Sequence, residues 1–225
     1  MIITIDGPAG SGKSTLSVAL AQHLGFFCLN SGYLYRGLAY VLKTWYGYTN
    51  EMLQTVDSSD LESIFEKDRL RYEYEHATVH IYFDNNDISS FLKQVDIGKV
   101  VPFVAQNHDV RKKVQAYERA IIHNKNAVVE GRSCGTTFFD ADLKLYVTAS
   151  VEVRAQREVQ DQARRGNILT LEQAKQNIVA RDHADMNRKH DPLVIPQDAI
   201  LLDTSMLSLQ EVLQQVITLV DKVQS

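Results

Sequence analysis

The stretch IITIDGPAGSGKST, Ile2 to Thr15, opens with a short apolar run and closes on a lysine and two hydroxyl residues. Ile2 to Ile5 has the composition of a buried strand, and Leu16 to Leu24 continues at helical spacing. Between them Gly7 to Ser14 spells G-x-x-x-x-G-K-[ST]. Glycines at these positions let the backbone curl so that successive N–H groups point inward, and the following helix adds its positive end. A lysine in that place reaches the β- and γ-phosphates of a nucleotide, and the serine after it suits Mg²⁺. Gly7, Pro8, Ala9, Gly10, Ser11, Gly12, Lys13, Ser14 and Thr15 are therefore the expected ATP-contacting residues, with Ser14 as the expected metal ligand.

Four more apolar runs, Phe26 to Leu29, Ala127 to Val129, Leu143 to Val147 and Ala199 to Leu202, read as buried parallel strands separated by helical patterns. This predicts an α/β, three-layer P-loop fold around a five-stranded parallel sheet. The last helix is announced by Ser208 and Glu211 at capping-box spacing. It carries a stripe of Leu209, Val212, Leu213, Val216, Ile217 and Val220. The middle of the chain differs: RLRYEYEHATVHIYFDNNDIS alternates apolar and polar residues around a turn near His76 and Ala77, as paired antiparallel strands do. One domain is expected over 1–225, with an inserted small lobe at about 60–108.

With 225 residues, 44% hydrophobic and 23% charged, the chain is long enough for a full core. A net charge of −4 gives no general attraction to nucleic acid or anionic membrane, so a bound anion must meet a local cluster of cations. Cys28 and Cys134 stand too far apart in sequence for a CxxC pair, and reduced thiols in a cytoplasmic protein are expected. Neither a secretory leader nor a long apolar span is read from the sequence. The histidines lack metalloprotease spacing, so they are not expected to bind zinc.

A phosphate loop is shared by kinases, GTPases and motor ATPases. No guanine-reading NKxD stretch follows, which favours a small kinase. Such an enzyme stabilises charge on two approaching nucleotides, and arginines recur accordingly: Arg36, Arg111, Arg132, Arg154, Arg157, Arg164, Arg165, Arg181 and Arg188. Arg181, Asp185 and Arg188 fall within about 60° on a helical wheel. Arg154 and Arg157 share another face, and ARRGN separates their helix from one begun by Thr170 and Gln173. That pair of helices is expected to form a lid at about 154–172. An arginine delivered to a transferring phosphoryl group is worth on the order of 10³ to 10⁵ in rate.

Over nearly its whole length the chain resembles the bacterial cytidylate kinases. NSGYLYRGLA, VRKKVQAYERAI, VVEGRSCGTTFFDADLKLYVTAS, EVRAQR, ARDHADMNRKHDPL and AILLDTSMLSLQEV follow in that family's order. The resemblance implies phosphoryl transfer from ATP, with Mg²⁺, to CMP or dCMP. It implies that Lys13, Arg132 and the lid residue Arg157 act on the transferring group. It also implies that Ser31, Arg36, Arg111, Arg132, Ser133, Arg181, Asp185 and Arg188 hold the acceptor. A monomer is expected, with small nucleotides as its partners. Glu130, at the end of its strand, is expected beside the metal and phosphates. Family members usually read GRDxGT, whereas Ser133 stands here in place of the aspartate, and Pro102 stands where a serine is common. Loss of a buried polar partner costs about 1–3 kcal/mol, which would weaken CMP binding roughly tenfold to a hundredfold. The alternatives are a kinase with a shifted acceptor such as UMP and a nucleotide sensor with weak catalysis.

Overall fold

The structure is a computed structural model that describes residues 1–138 and 140–224. In chain order its main elements are β1 (Ile2–Asp6), α1 (Lys13–Leu24), β2 (Phe27–Asn30), α2 (Ser31–Thr44), α3 (Ser58–Phe65), β3 (Leu70–Glu75), β4 (Thr78–Phe83), β5 (Asn86–Asp87), α4 (Val95–Gln106), α5 (His108–Ile122), β6 (Ala127–Glu130), α6 (Cys134–Thr137), β7 (Leu143–Thr148), α7 (Val151–Arg164), α8 (Leu171–Asn187), β8 (Ile200–Asp203) and α9 (Leu209–Gln224). A parallel five-stranded sheet has the order β2-β6-β1-β7-β8, and a three-stranded antiparallel sheet has the order β3-β4-β5. All five strands read from the sequence are present, each within a residue of its expected ends. The chain divides into two compact units, Met1–Phe26 with Val128–Ser225, and Phe27–Ala127.

In the first unit β1 pairs with β7 from Ile3 opposite Leu143 to Asp6 opposite Tyr146. Ile3, Ile5, Leu145 and Val147 are buried on one face of these strands and Thr4, Asp6, Lys144 and Tyr146 on the other, as a central parallel pair requires. Helix α9 packs against α1 and buries Val212, Val216 and Val220. Its start is fixed by Ser208, whose backbone N–H and hydroxyl both donate to Glu211 while Glu211 N–H donates back to the Ser208 hydroxyl. Leu209 was expected on the buried stripe but is 41% exposed, because it occupies the first helical position, a turn short of the covered valines. Among the described residues no helix is long and apolar enough to cross a membrane.

In the second unit β3 and β4 form the hairpin read from the alternating stretch, with Tyr72 opposite Ile81 and Tyr74 opposite Val79. His76 and Ala77 make the two-residue turn, both with positive φ, as the right-handed twist of a tight hairpin demands. Leu70, Tyr72, Ile81 and Phe83 point into the core of this unit.

Candidate phosphate and arginine site

Within the first unit the chain leaves β1 at Asp6, curls through residues 7–12 and enters α1 at Lys13. Gly7 has φ +145°, and a Cβ there would lie 1.9 Å from the Val147 carbonyl oxygen of β7, so no other residue fits between loop and sheet. Lys13 is buried; its Nζ donates to the Pro8 carbonyl at 2.7 Å and lies 3.3 Å from Ser11 Oγ, folding back across the loop. Burial, reinforced by the Arg132 and Arg181 cations and opposed by Glu130 and Asp6, lowers the Lys13 ammonium to about 7. Such a cation gains from any phosphate placed beside it. Ser14 Oγ donates to Glu130 Oε2 at 3.1 Å, which brings a hydroxyl and a buried carboxylate together at the carboxyl ends of β1 and β6.

The β6 strand places its polar residues at the same edge of the sheet, where ligands of parallel α/β folds bind. Arg132 Nε donates to Asp185 Oδ2 at 3.1 Å, and its NH1 lies 3.8 Å from Glu130 Oε1. Burial opposes the Arg132 charge, yet Asp185 and Glu130 outweigh it and its pKa is raised. The other Asp185 oxygen lies 3.5 Å from Arg188 NH1. Arg188 NH2 also donates to Ser133 Oγ at 3.3 Å, and its Nε to the Asp191 carbonyl at 2.7 Å. Asp185 therefore bridges two guanidiniums, one from the end of β6 and one from just past the end of α8. The helical wheel groups Asp185 and Arg188 with Arg181; the structure pairs Asp185 with Arg188 and adds Arg132 from 53 residues upstream, while the Arg181 charge is felt at Lys13. Asp6, not singled out from sequence, accepts from the N–H groups of Cys134 and Gly135, and burial raises its pKa. It fixes the turn that presents Arg132 and Ser133.

Helices α7 and α8 are separated by the predicted ARRGN break, and α8 opens with the predicted Thr170–Gln173 capping box. Arg157 donates through NH1 to the Ser11 carbonyl at 3.2 Å and to Thr204 Oγ1, and through NH2 to the Thr204 carbonyl. Burial lowers its pKa against the pull of Asp203. Arg154 leaves α7 on the same side as Arg157, toward the phosphate loop, and is buried there, paired with Asp182. Asp182 lies beside Arg181 in sequence but on a different side of the helix, and no local spacing announces its partner.

The remaining predicted residues lie in the second unit. Ser31 begins α2 directly after the capping residue Asn30, whose side chain accepts from the Tyr33 N–H. Arg36 NH1 donates to the Leu92 carbonyl at 2.9 Å and sits beside Gly98. Arg111 is buried, donates to the Ala105 carbonyl and lies over the Tyr35 ring with 5.6 Å to the centroid. Pro102 falls inside α4, where it removes one backbone donor. Among the described residues no group of three or more His, Cys, Asp or Glu is placed to hold a metal ion.

A parallel sheet with a glycine-rich loop entering a helix, a buried lysine on that loop and paired arginines at the same sheet edge define a P-loop phosphotransferase. The cytidylate kinase family model matches residues 3–222. A cytidylate kinase from Halalkalibacterium halodurans is 34% identical over 218 residues, covering 96% of each chain. The chain belongs to the cytidylate kinase family. Two solved structures share the fold: an uncharacterised protein from Eubacterium ventriosum, with TM-score 0.54, 12% identity and 98% of both chains covered, and a Thermus thermophilus protein, with TM-score 0.50, 18% identity and 100% of this chain and 98% of that one covered.

Proposed function

We propose that the chain transfers the γ-phosphoryl group of ATP to CMP or dCMP, giving ADP and CDP or dCDP. A phosphate oxygen of the acceptor attacks the γ-phosphorus, the bond to the β-γ bridging oxygen breaks, and ADP leaves. The acceptor phosphate is already ionised at neutral pH, so no strong base is required. Positioning and charge stabilisation supply the catalysis. The observation that carries this reading is the loop from Gly7 to Thr15 in one unit with the Arg132–Asp185–Arg188 bridge, in a chain of this family.

In this reading the loop N–H groups and Lys13 bind the ATP phosphates. Ser14 and Glu130, adjacent hard oxygen donors, suit Mg²⁺, which prefers one or two carboxylates beside substrate phosphates and water. When bound, the ion neutralises charge on the phosphates. Arg132, Arg181, Asp185 and Arg188 orient the acceptor, with Ser31, Arg36 and Arg111 assigned to the same nucleotide. Ser133 meets the base. The α7–α8 pair at about 154–172 serves as the lid, with Arg157 facing the nucleotide phosphates, and the antiparallel hairpin belongs to the monophosphate lobe. We assign the working form as a cytoplasmic monomer. A coupled ADP-release assay with CMP, dCMP, UMP and AMP tests the reading. CMP or dCMP should be the preferred acceptor, and turnover with none of the four rules the reading out.

A further inference from the structure

The phosphate loop is gripped from outside by a pair of charges that the phosphoryl-transfer chemistry does not use. Arg154 of α7 and Asp182 of α8 form a buried ion pair, with NH1 2.5 Å from Oδ2. Both ends of the pair also hold Ala9, in the middle of the loop. Asp182 Oδ1 accepts from the Ala9 N–H at 3.0 Å, and Arg154 NH1 donates to the Ala9 carbonyl at 3.0 Å. Arg154 Nε is anchored in turn on the Ala149 carbonyl at 2.9 Å. The Ala9 side chain packs with Ala155, Ala174 and Ile178 from the same two helices. Gly10, at φ +73°, completes the contact: a Cβ there would lie 3.0 Å from the Arg154 carbonyl oxygen.

We infer that Arg154 and Asp182 are positioning residues for ATP, acting through the Ala9 peptide groups rather than on the substrate. In a trans peptide the carbonyl and the following N–H point in opposite directions. Holding the Ala9 carbonyl toward Arg154 therefore aims the Gly10 N–H to the other side of the chain, away from α7. Asp182 meanwhile takes the Ala9 N–H out of competition for an anion. Side chains from both lid helices thereby set which loop donors face a phosphate, and an anion cradle depends on that direction. Without the grip, Gly10, which lacks a Cβ, would let the Ala9–Gly10 peptide rotate at little cost.

This inference rests on ATP occupying the loop, and the experiment separates the two. ATP and CMP affinities are measured by calorimetry on the full chain for the parent, Arg154→Met, Asp182→Asn and the double variant Arg154→Met/Asp182→Leu. The double variant replaces the buried pair with apolar side chains, an exchange that is often neutral or stabilising. It keeps the measurement possible if a single variant misfolds. The expected result is a loss of ATP affinity of about tenfold or more in the double variant, with CMP affinity within twofold of the parent and a cooperative thermal transition retained. Steady-state kinetics should show the same split, with KM for ATP raised and KM for CMP held. ATP affinity within twofold of the parent overturns the inference, as does an equal loss for both nucleotides. A parent chain that binds no ATP overturns the functional reading instead.

Discussion

Replacing Asp185 by asparagine removes the carboxylate that bridges Arg132 and Arg188 while keeping its size. The two arginine side chains are 19% and 5% exposed and Asp185 is 17% exposed, so water screens the loss only slightly. Removing one partner of a fully buried pair costs about 3–5 kcal/mol, and the residual exposure here brings the expected cost to about 2–3 kcal/mol. For a chain of this length each kcal/mol moves the midpoint by about 2–4 °C, so Asp185→Asn should lower Tm by about 4–12 °C. The same substitution leaves two cations with surplus charge, which a phosphate dianion can neutralise. Added CMP should therefore recover part of the deficit, and sodium chloride at equal ionic strength should recover less. Scanning calorimetry of parent and variant, with and without CMP, measures both effects. A shift below about 2 °C in the free protein would refute the bridge as a buried electrostatic element. A CMP-independent deficit would refute its link to the acceptor.

Further outcomes concern Lys13 and Ser133. With its ammonium lowered to about 7, Lys13 is largely neutral in the free protein at pH 8, and phosphate binding should restore its charge, drawing in up to about 0.9 proton per ATP. ATP affinity should then fall as pH rises above 7, and calorimetry in buffers of different ionisation enthalpy counts the protons. Lys13→Arg, charged throughout, should bind without that uptake, and equal uptake in both proteins would remove the depressed lysine from the account. In the absence of ligand the sign for folding is opposite: the unfolded chain holds the Lys13 proton between about 7 and 10.5, so this group makes stability rise with pH across that window. Ser133→Asp should raise kcat/KM for CMP about tenfold while leaving KM for ATP unchanged. An effect on ATP alone would take Ser133 out of the acceptor site.

The elements legible in the sequence are those specified by local chemistry. A strand broken by glycines, a hairpin with period-two aromatics and two capping boxes each depend on residues a few positions apart, and each stands where it was read. The phosphate loop was legible for the same reason. The acidic partners were not. Asp6 reaches 128 residues to Cys134, and Asp182 reaches 173 to Ala9, so their roles exist only once the parallel sheet aligns distant loops at one edge. Arg154 shows the limit most clearly. Helical spacing grouped it with Arg157, and both face the loop, but Arg154 is held on Ala9 by a carboxylate that no periodicity connects to it.

Transfer of label from [γ-³²P]ATP to CMP, followed by separation of the products, tests the central claim most directly. Labelled CDP should accumulate with the parent chain, and Lys13→Ala should form it at least a hundredfold more slowly, in keeping with the loss of a group that stabilises the transferring phosphoryl, worth on the order of 10²–10³ in rate. Label appearing only as inorganic phosphate, or CDP formed equally fast without Lys13, would contradict it.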